Sequence, residues 1–390
     1  MANEGFNTFV LGQPPATSAA AADSIPLIQG GVTKKAPVST ITSYNVVGPT
    51  GGDDTPMLNG AFSGAASRPV FLSFGAYDVR GPLTIPDNGI VVGEEINAWD
   101  FYNGAKPRTL LQADATNTFS AGQAILTIGN YSHIRGFSIF GLKNVGGHPN
   151  VDGIAVPNKA FATIQDIWVN LCYNGINAVS DGNIAGGSPW GHNIIGLRVC
   201  GGGVLYNEAY GFWSRGLNGG FFSDAHLSNV QVVSNQAAGM WIADGSATCQ
   251  ILNCRIEDQP VGIWFNKAQD ISFVGGLFDR NEAPIVIDSC ATITVSGCNS
   301  GSAGNGGSGT GGTGTHVRFS STYFGNAEMA FSGNNYTQGA AAASYTYGVD
   351  AGATVTGYFA ETGNPSANTS VYQDSYSQSV IAPLMVKLGP

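Results

Sequence analysis

One degenerate unit recurs through the middle of the chain and limits the fold more than any other feature: an apolar residue, a spacer, a Gly, Asp or Asn, then two apolar residues flanking one variable position. It reads Ile134-Arg135-Gly136-Phe137-Ser138-Ile139, then begins again at Ile164, Ile194, Leu227 and Ile251, with looser copies at Ile271 and Ile293. Copies 20 to 33 residues apart with period-two alternation suit a solenoid of short strands, because one turn buries its apolar face only when others stack on it. Gly136, Asp166, Gly196, Asn229 and Asn253 at the third position are the residue types that enter left-handed backbone at least cost, so each is expected at a bend between two strands.

A second repeat lies between the copies: Gly153-Ile154-Ala155-Val156, Gly175-Ile176-Asn177-Ala178, Gly239-Met240-Trp241-Ile242 and Gly262-Ile263-Trp264-Phe265, with Pro284-Ile285-Val286-Ile287 as a weaker member. Two strand types alternating once per turn, without long helical periodicity, predict an all-β chain: a right-handed single-stranded parallel β-helix. The hand follows the general rule for parallel crossovers.

Charged residues make up only 11% of the chain, the net charge is -10, and Lys and Arg never cluster. Nucleic acid is a poor partner for such a surface, which lacks the grouped cations that phosphate binding needs. No run reaches the length of a membrane span, and Met1-Ala2-Asn3-Glu4 opens without the basic segment and apolar core of a secretory signal, so synthesis in a cytoplasm is expected. Six cysteines show no paired metal spacing, and Cys254 falls at an inward position; they read as small buried hydrophobes. No metal or cofactor is called for, and the five histidines are scattered, His133 and His226 reading as turn positions.

Four regions are expected: an arm over 1–45, a capped β-helix over 46–300, a Gly-rich linker over 301–315 and a Tyr-rich β region over 316–390. The arm is rich in Ala, Pro and Gly, so it is either disordered or ordered by a partner. Its run Ala16-Thr17-Ser18-Ala19 through Ala22-Asp23-Ser24-Ile25-Pro26-Leu27-Ile28-Gln29-Gly30-Gly31-Val32-Thr33-Lys34-Lys35 resembles the particle-attaching N-termini of bacteriophage tail fibres and tailspikes. Asp53-Asp54-Thr55, then Val70-Phe71-Leu72-Ser73-Phe74-Gly75-Ala76-Tyr77 with Gly81-Pro82-Leu83-Thr84-Ile85-Pro86 and Val92-Gly93-Glu94, resembles the N-terminal cap of the pectate-lyase-like superfamily. Ser73-Phe74-Gly75-Ala76-Tyr77 stands where that family has Pro-Pro-Gly-Thr-Tyr. A helix between Thr55 and Ala66 is expected to close the end of the solenoid. The resemblance implies a homotrimer joined through the C-terminal region, attachment to a phage tail or baseplate protein through 1–45, and action from the virion on a bacterial surface polysaccharide. A non-enzymatic virion adhesin or structural tail protein is the alternative, and a free-living pectate-lyase-like enzyme comes third.

If Ile263 and Phe265 point inward, Trp264 points out, and Trp241 takes the equivalent place one turn earlier, about 4.8 Å away. Stacked indoles offer an apolar platform for a sugar face or for a neighbouring subunit. Lys267, Trp213 and Tyr210 are the further candidate binding residues. Trp168 is expected in a solvated outward column with Ser138, Arg198, Gln231 and Arg255.

Glycosidic hydrolysis needs one carboxylic acid to protonate the leaving oxygen and a second carboxylate as base or nucleophile, roughly 5–9 Å apart. Asp244, Glu257, Asp279 and Glu282 are the candidates. Asp258 is read instead as one of a polar turn ladder with Asn235 and Asn281. Lyase chemistry would draw on Lys267, Arg255 or Arg280, but the acidic calcium cluster of pectate lyases is missing from the repeats.

Overall fold

The computed structural model describes residues 24–29, 32–37, 44–94, 108–114, 116–141, 150–157, 159–179, 191–200, 210–215, 217, 219–228, 238–243, 245–281, 283–301, 315–319, 327–336, 345–349, 357–362, 372–374 and 385–387. Two compact units divide the chain, 1–45 and 46–390. In the first, Ser24–Gln29 pairs antiparallel with Val32–Pro37, Ser24 opposite Pro37 and Gln29 opposite Val32. Composition alone gave this stretch no structure of its own. The hairpin follows from extended Ile-, Val- and Thr-containing runs either side of Gly30-Gly31, a pair that turns readily.

The second unit is a solenoid whose strands fall on three parallel tracks. Track one includes Val70–Leu72, Ile90–Gly93, Asn193–Ile195, Phe221–Ser223, Gln250–Leu252 and Ile271–Val274. Track two includes Gly75–Val79, Thr109–Ala113, Arg198–Cys200, His226–Ser228, Arg255–Glu257 and Leu277–Asp279. His133–Phe140 and Thr163–Asn170 run through both tracks. Track three is an eleven-stranded sheet that holds Ala124–Ile128, Asp152–Ala155, Asn174–Val179, Tyr210–Arg215, Ala238–Ala243, Val261–Asn266 and Ala283–Asp288.

The bend between tracks one and two sits where the sequence puts it. Gly136, Asp166, Gly196 and Asn253 have φ of 73°, 49°, 63° and 52°. Asn229 lies outside the described residues, and the copy begun at Leu227 is out of phase. Phe222 pairs with Ile194 and Ile251, whereas Leu227 pairs with Val199 and Ile256, so Asp224 (φ 54°) is the bend of that turn. The first and last positions of the unit are both inward apolar residues, so the pattern matches at either.

Repeated inward positions stack into one continuous core, with Phe137, Phe212, Phe222, Phe265, Phe273 and Phe278 wholly buried. Cys172, Cys249, Cys254, Cys290 and Cys298 are buried and free, and burial pushes the Cys290 thiol up to about 12. Helix α1 (Thr55–Ser63) supplies Leu58 and Phe62 to the same core, with Pro56 in its first turn, where a missing N–H costs nothing. The Gly-rich tract 302–314 lies outside the described residues. The strands beyond it do not found a separate region as the boundary at 315 anticipates. Val317 pairs in parallel with Ile285, Met329 with Ile293, and Met385 with Phe359, so these strands add turns to the same tracks.

Candidate functional site

Outward positions on track three form columns, one residue per turn. Asn177, Trp213, Trp241, Trp264 and Val286 follow one another in register, and beside them run Asp152, Asn174, Tyr210, Ala238, Val261 and Ala283. The backbone therefore brings Tyr210, Trp213, Trp241 and Trp264 to one face; the side chains of Tyr210 and Trp213 lie outside the described residues. Trp241 and Trp264 stack with ring centroids 5.4 Å apart and 27° between planes. They are half-buried rather than fully exposed, resting on Ala238, Val261, Ala283 and Val286, an apolar cluster separate from the core. The indole N–H of Trp264 is buried without a hydrogen-bond partner among the described residues, so any side-chain surface it shows is carbon.

Asp152 is the residue that sequence reasoning missed. It stands on the outer side of track three, three turns from Ala238, and its carboxylate accepts from the Asn174 side chain (2.7 Å), the Asn174 backbone N–H (3.2 Å) and the Asn177 side chain (2.6 Å). Burial raises its pKa against these hydrogen bonds. The network fixes the Asn177 amide one turn from Trp213. The available signal was an acid immediately before Gly153, at the place filled by Ala238 and Val261 in later turns.

Glu257 belongs to a different face, outward on track two. Arg198, His226 and Arg255 succeed one another there in register, and His226 therefore lies on a strand rather than in a turn. Glu257 Oε1 is 2.7 Å from His226 Nε2, and Oε2 accepts from Arg255 Nε at 2.9 Å and Nη2 at 2.5 Å. Burial by itself would raise the carboxyl pKa; the bonds from His226 and Arg255 outweigh it and hold the group at about 2. Glu257 is a permanent anion at neutral pH, unsuited to donate a proton to a leaving oxygen.

Asp279 pairs in register with Glu257 and lies 3.8 Å from Arg280 Nη1. Asp258 faces Arg280 across the turn, and not Asn281 as the sequence suggested: Arg280 Nε and Nη2 donate to its two oxygens at 2.6 and 2.7 Å. Asn281 aligns instead with Gln259, accepting its backbone N–H and donating to the Ile256 carbonyl. Lys267 is exposed with φ 51°. Asp244 and Glu282 lie outside the described residues. Trp168 faces outward as expected but is wholly buried, edge-on to Phe140 at 5.3 Å, and its column runs Ser138, Trp168, Arg198, His226. Among the described residues no three His, Cys, Asp or Glu side chains gather as a metal site.

Parallel tracks, left-handed bends and a stacked core define a right-handed parallel β-helix. Residues 192–361 match the family described as "right handed beta helix region". A search of curated proteins returned no match. Among solved structures the chain is similar to the N-terminal fragment of gene product 12 of bacteriophage phi29 (14% identity, TM-score 0.57, covering 84% of this chain and 69% of that one). It is similar also to the tailspike of E. coli bacteriophage HK620 (10%, 0.60, 91% and 68%) and to endo-xylogalacturonan hydrolase from Aspergillus tubingensis (12%, 0.52, 88% and 98%). Phage tail proteins and polysaccharide-degrading β-helix enzymes thus share its fold.

Proposed function

We propose that this protein is a homotrimeric bacteriophage tailspike that holds a bacterial surface polysaccharide along the outer side of track three and depolymerises it, with hydrolysis favoured over elimination. The Trp241–Trp264 stack carries the reading. Two stacked indoles at the spacing of the turns approach the repeat of a sugar chain running along the solenoid axis, and the carbon surface they leave exposed suits the C–H face of a pyranose. Residues 1–45 would join the chain to the phage tail.

A non-enzymatic adhesin is the second reading, favoured by one observation. The described acids put forward for catalysis, Glu257 and Asp279, both meet arginines, and Glu257 is fixed as an anion.

The test incubates the purified protein with capsular and O-antigen polysaccharides from candidate hosts and assays the products. New reducing ends without absorbance near 235 nm support hydrolysis; that absorbance indicates a lyase, and tight binding without new ends leaves the adhesin. Trp241→Ala with Trp264→Ala should weaken binding by about 1–3 kcal/mol per ring at unchanged oligomeric mass. Dissociation of the double variant into monomers would instead assign the pair to a subunit interface.

A further inference from the structure

We infer that a second sugar-stacking site lies at the corner between tracks three and one, formed by Tyr131 and Phe161; the inference rests on the glycan reading above. The two rings occupy equivalent turn positions on successive turns, with the Tyr131 N–H bonded to the Ala160 carbonyl, and stack nearly parallel, centroids 5.3 Å apart and planes 16° apart. They are more exposed than Trp241 and Trp264: Tyr131 is 60% and Phe161 46% exposed.

Both residues hold φ of 54°, a left-handed conformation that is costly for a bulky side chain and easy for Asn or Gly. The flanking turns use those easy residues. Asn88 precedes Tyr131 with φ 60°, and Gly191 with φ 58° lies beside Phe161; a Cβ on Gly191 would come within 2.7 Å of the Phe161 ring. The chain thus carries two large aromatic rings where a strain-free turn would have none, and a glycine leaves room for the second ring.

A polar group adjoins the stack. Asp87 accepts from the Asn130 backbone and side chain at 2.8 and 3.0 Å and meets Lys159 at 3.6 Å, and Asn130 Oδ1 accepts the Ala160 N–H. Flat carbon bordered by a carboxylate, an amide and an ammonium fits a neutral pyranose, whose C–H face stacks while its hydroxyls both donate and accept. Phe161 and Trp241 stand three turns apart on neighbouring surfaces, about 14 Å along the axis at the strand spacing, a span of a few sugar units.

The experiment places the full chain on an array of bacterial capsular and O-antigen polysaccharides and compares Tyr131→Ala/Phe161→Ala with Trp241→Ala/Trp264→Ala. Tyr131→Gly/Phe161→Asn is the control against misfolding, since both residues accept the left-handed turn and should melt no lower than the wild type. The inference expects both corner variants to bind the same polysaccharide at least tenfold more weakly, at unchanged oligomeric mass. Wild-type affinity in the corner variants, with loss in the tryptophan variant, overturns the second site and leaves the glycan reading standing. Loss in the corner variants alone supports the second site and removes the tryptophan platform. A wild-type protein that binds no glycan on the array, or corner variants that change the oligomeric mass, overturn the inference as well.

Discussion

At the residue scale, the same side-chain types serve opposite ends according to what the neighbouring turn presents. Glu257 was attractive as a catalyst because acids on successive turns can approach each other, but sequence alignment of turns cannot tell which cation sits beside it. Arg255 reaches it from two residues earlier on the same strand, and His226 from the preceding turn, 31 residues away, where only the register brings it close. Glu257→Gln keeps the shape and removes the charge, and should destabilise the fold by about 1–3 kcal/mol, discounted for the partly exposed Arg255 and His226. Its folded pKa of about 2 lies below the ordinary 4.5, so its contribution is complete above pH 4.5 and is lost as pH falls from there towards 2. Thermal melts at pH 7 and pH 3 should show the wild type losing stability and the Gln variant losing less. An equal drop in both would remove Glu257 from the acid response.

At the element scale, the second repeat was visible as sequence before its cause was. Gly153, Gly211 and Gly239 each lead a track-three strand, and a Cβ added to them would meet the carbonyl oxygen of Gly175, Gly239 and Gly262 on the next turn at 2.7, 2.7 and 2.8 Å. Gly175 and Gly262 are still tighter against Gly211 and Pro284. Close approach of backbones is therefore the reason for the glycine, and it explains why Gly211 belongs to the column although its strand, Tyr210–Arg215, was not recognised as a copy. Gly239→Ala should cost about 1–3 kcal/mol, since both the opposing atom and Ile256 Cγ2, at 2.7 Å, are fixed by the core. A melting temperature equal to wild type would show that the turns can separate without penalty. The bend residues and the tryptophan faces were legible because they follow period and parity. The phase of the Leu227 copy, the Asp258–Arg280 pair and the Asp152 network were not, since each depends on turn lengths that vary between copies.

At the scale of the whole molecule, core continuity decides which parts stand alone. From α1 onward the described turns stack one upon the next, and the strands Thr315–Phe319, Ala327–Ser332 and Tyr345–Val349 prolong the same stack. Among the described residues of the first unit the hairpin is a two-stranded ribbon, which is marginal by itself. Deleting residues 1–45 should therefore leave the melting temperature and oligomeric mass of 46–390 unchanged while abolishing any attachment made through the arm. Sedimentation of both forms at micromolar concentration should give three copies per particle, for the full chain three times 40.2 kDa. A truncated protein that aggregates would make the hairpin part of the solenoid's fold. Monomers of the full chain would remove the trimer, and with it the comparison of trimer stability and glycan affinity that separates the two roles of Trp241 and Trp264.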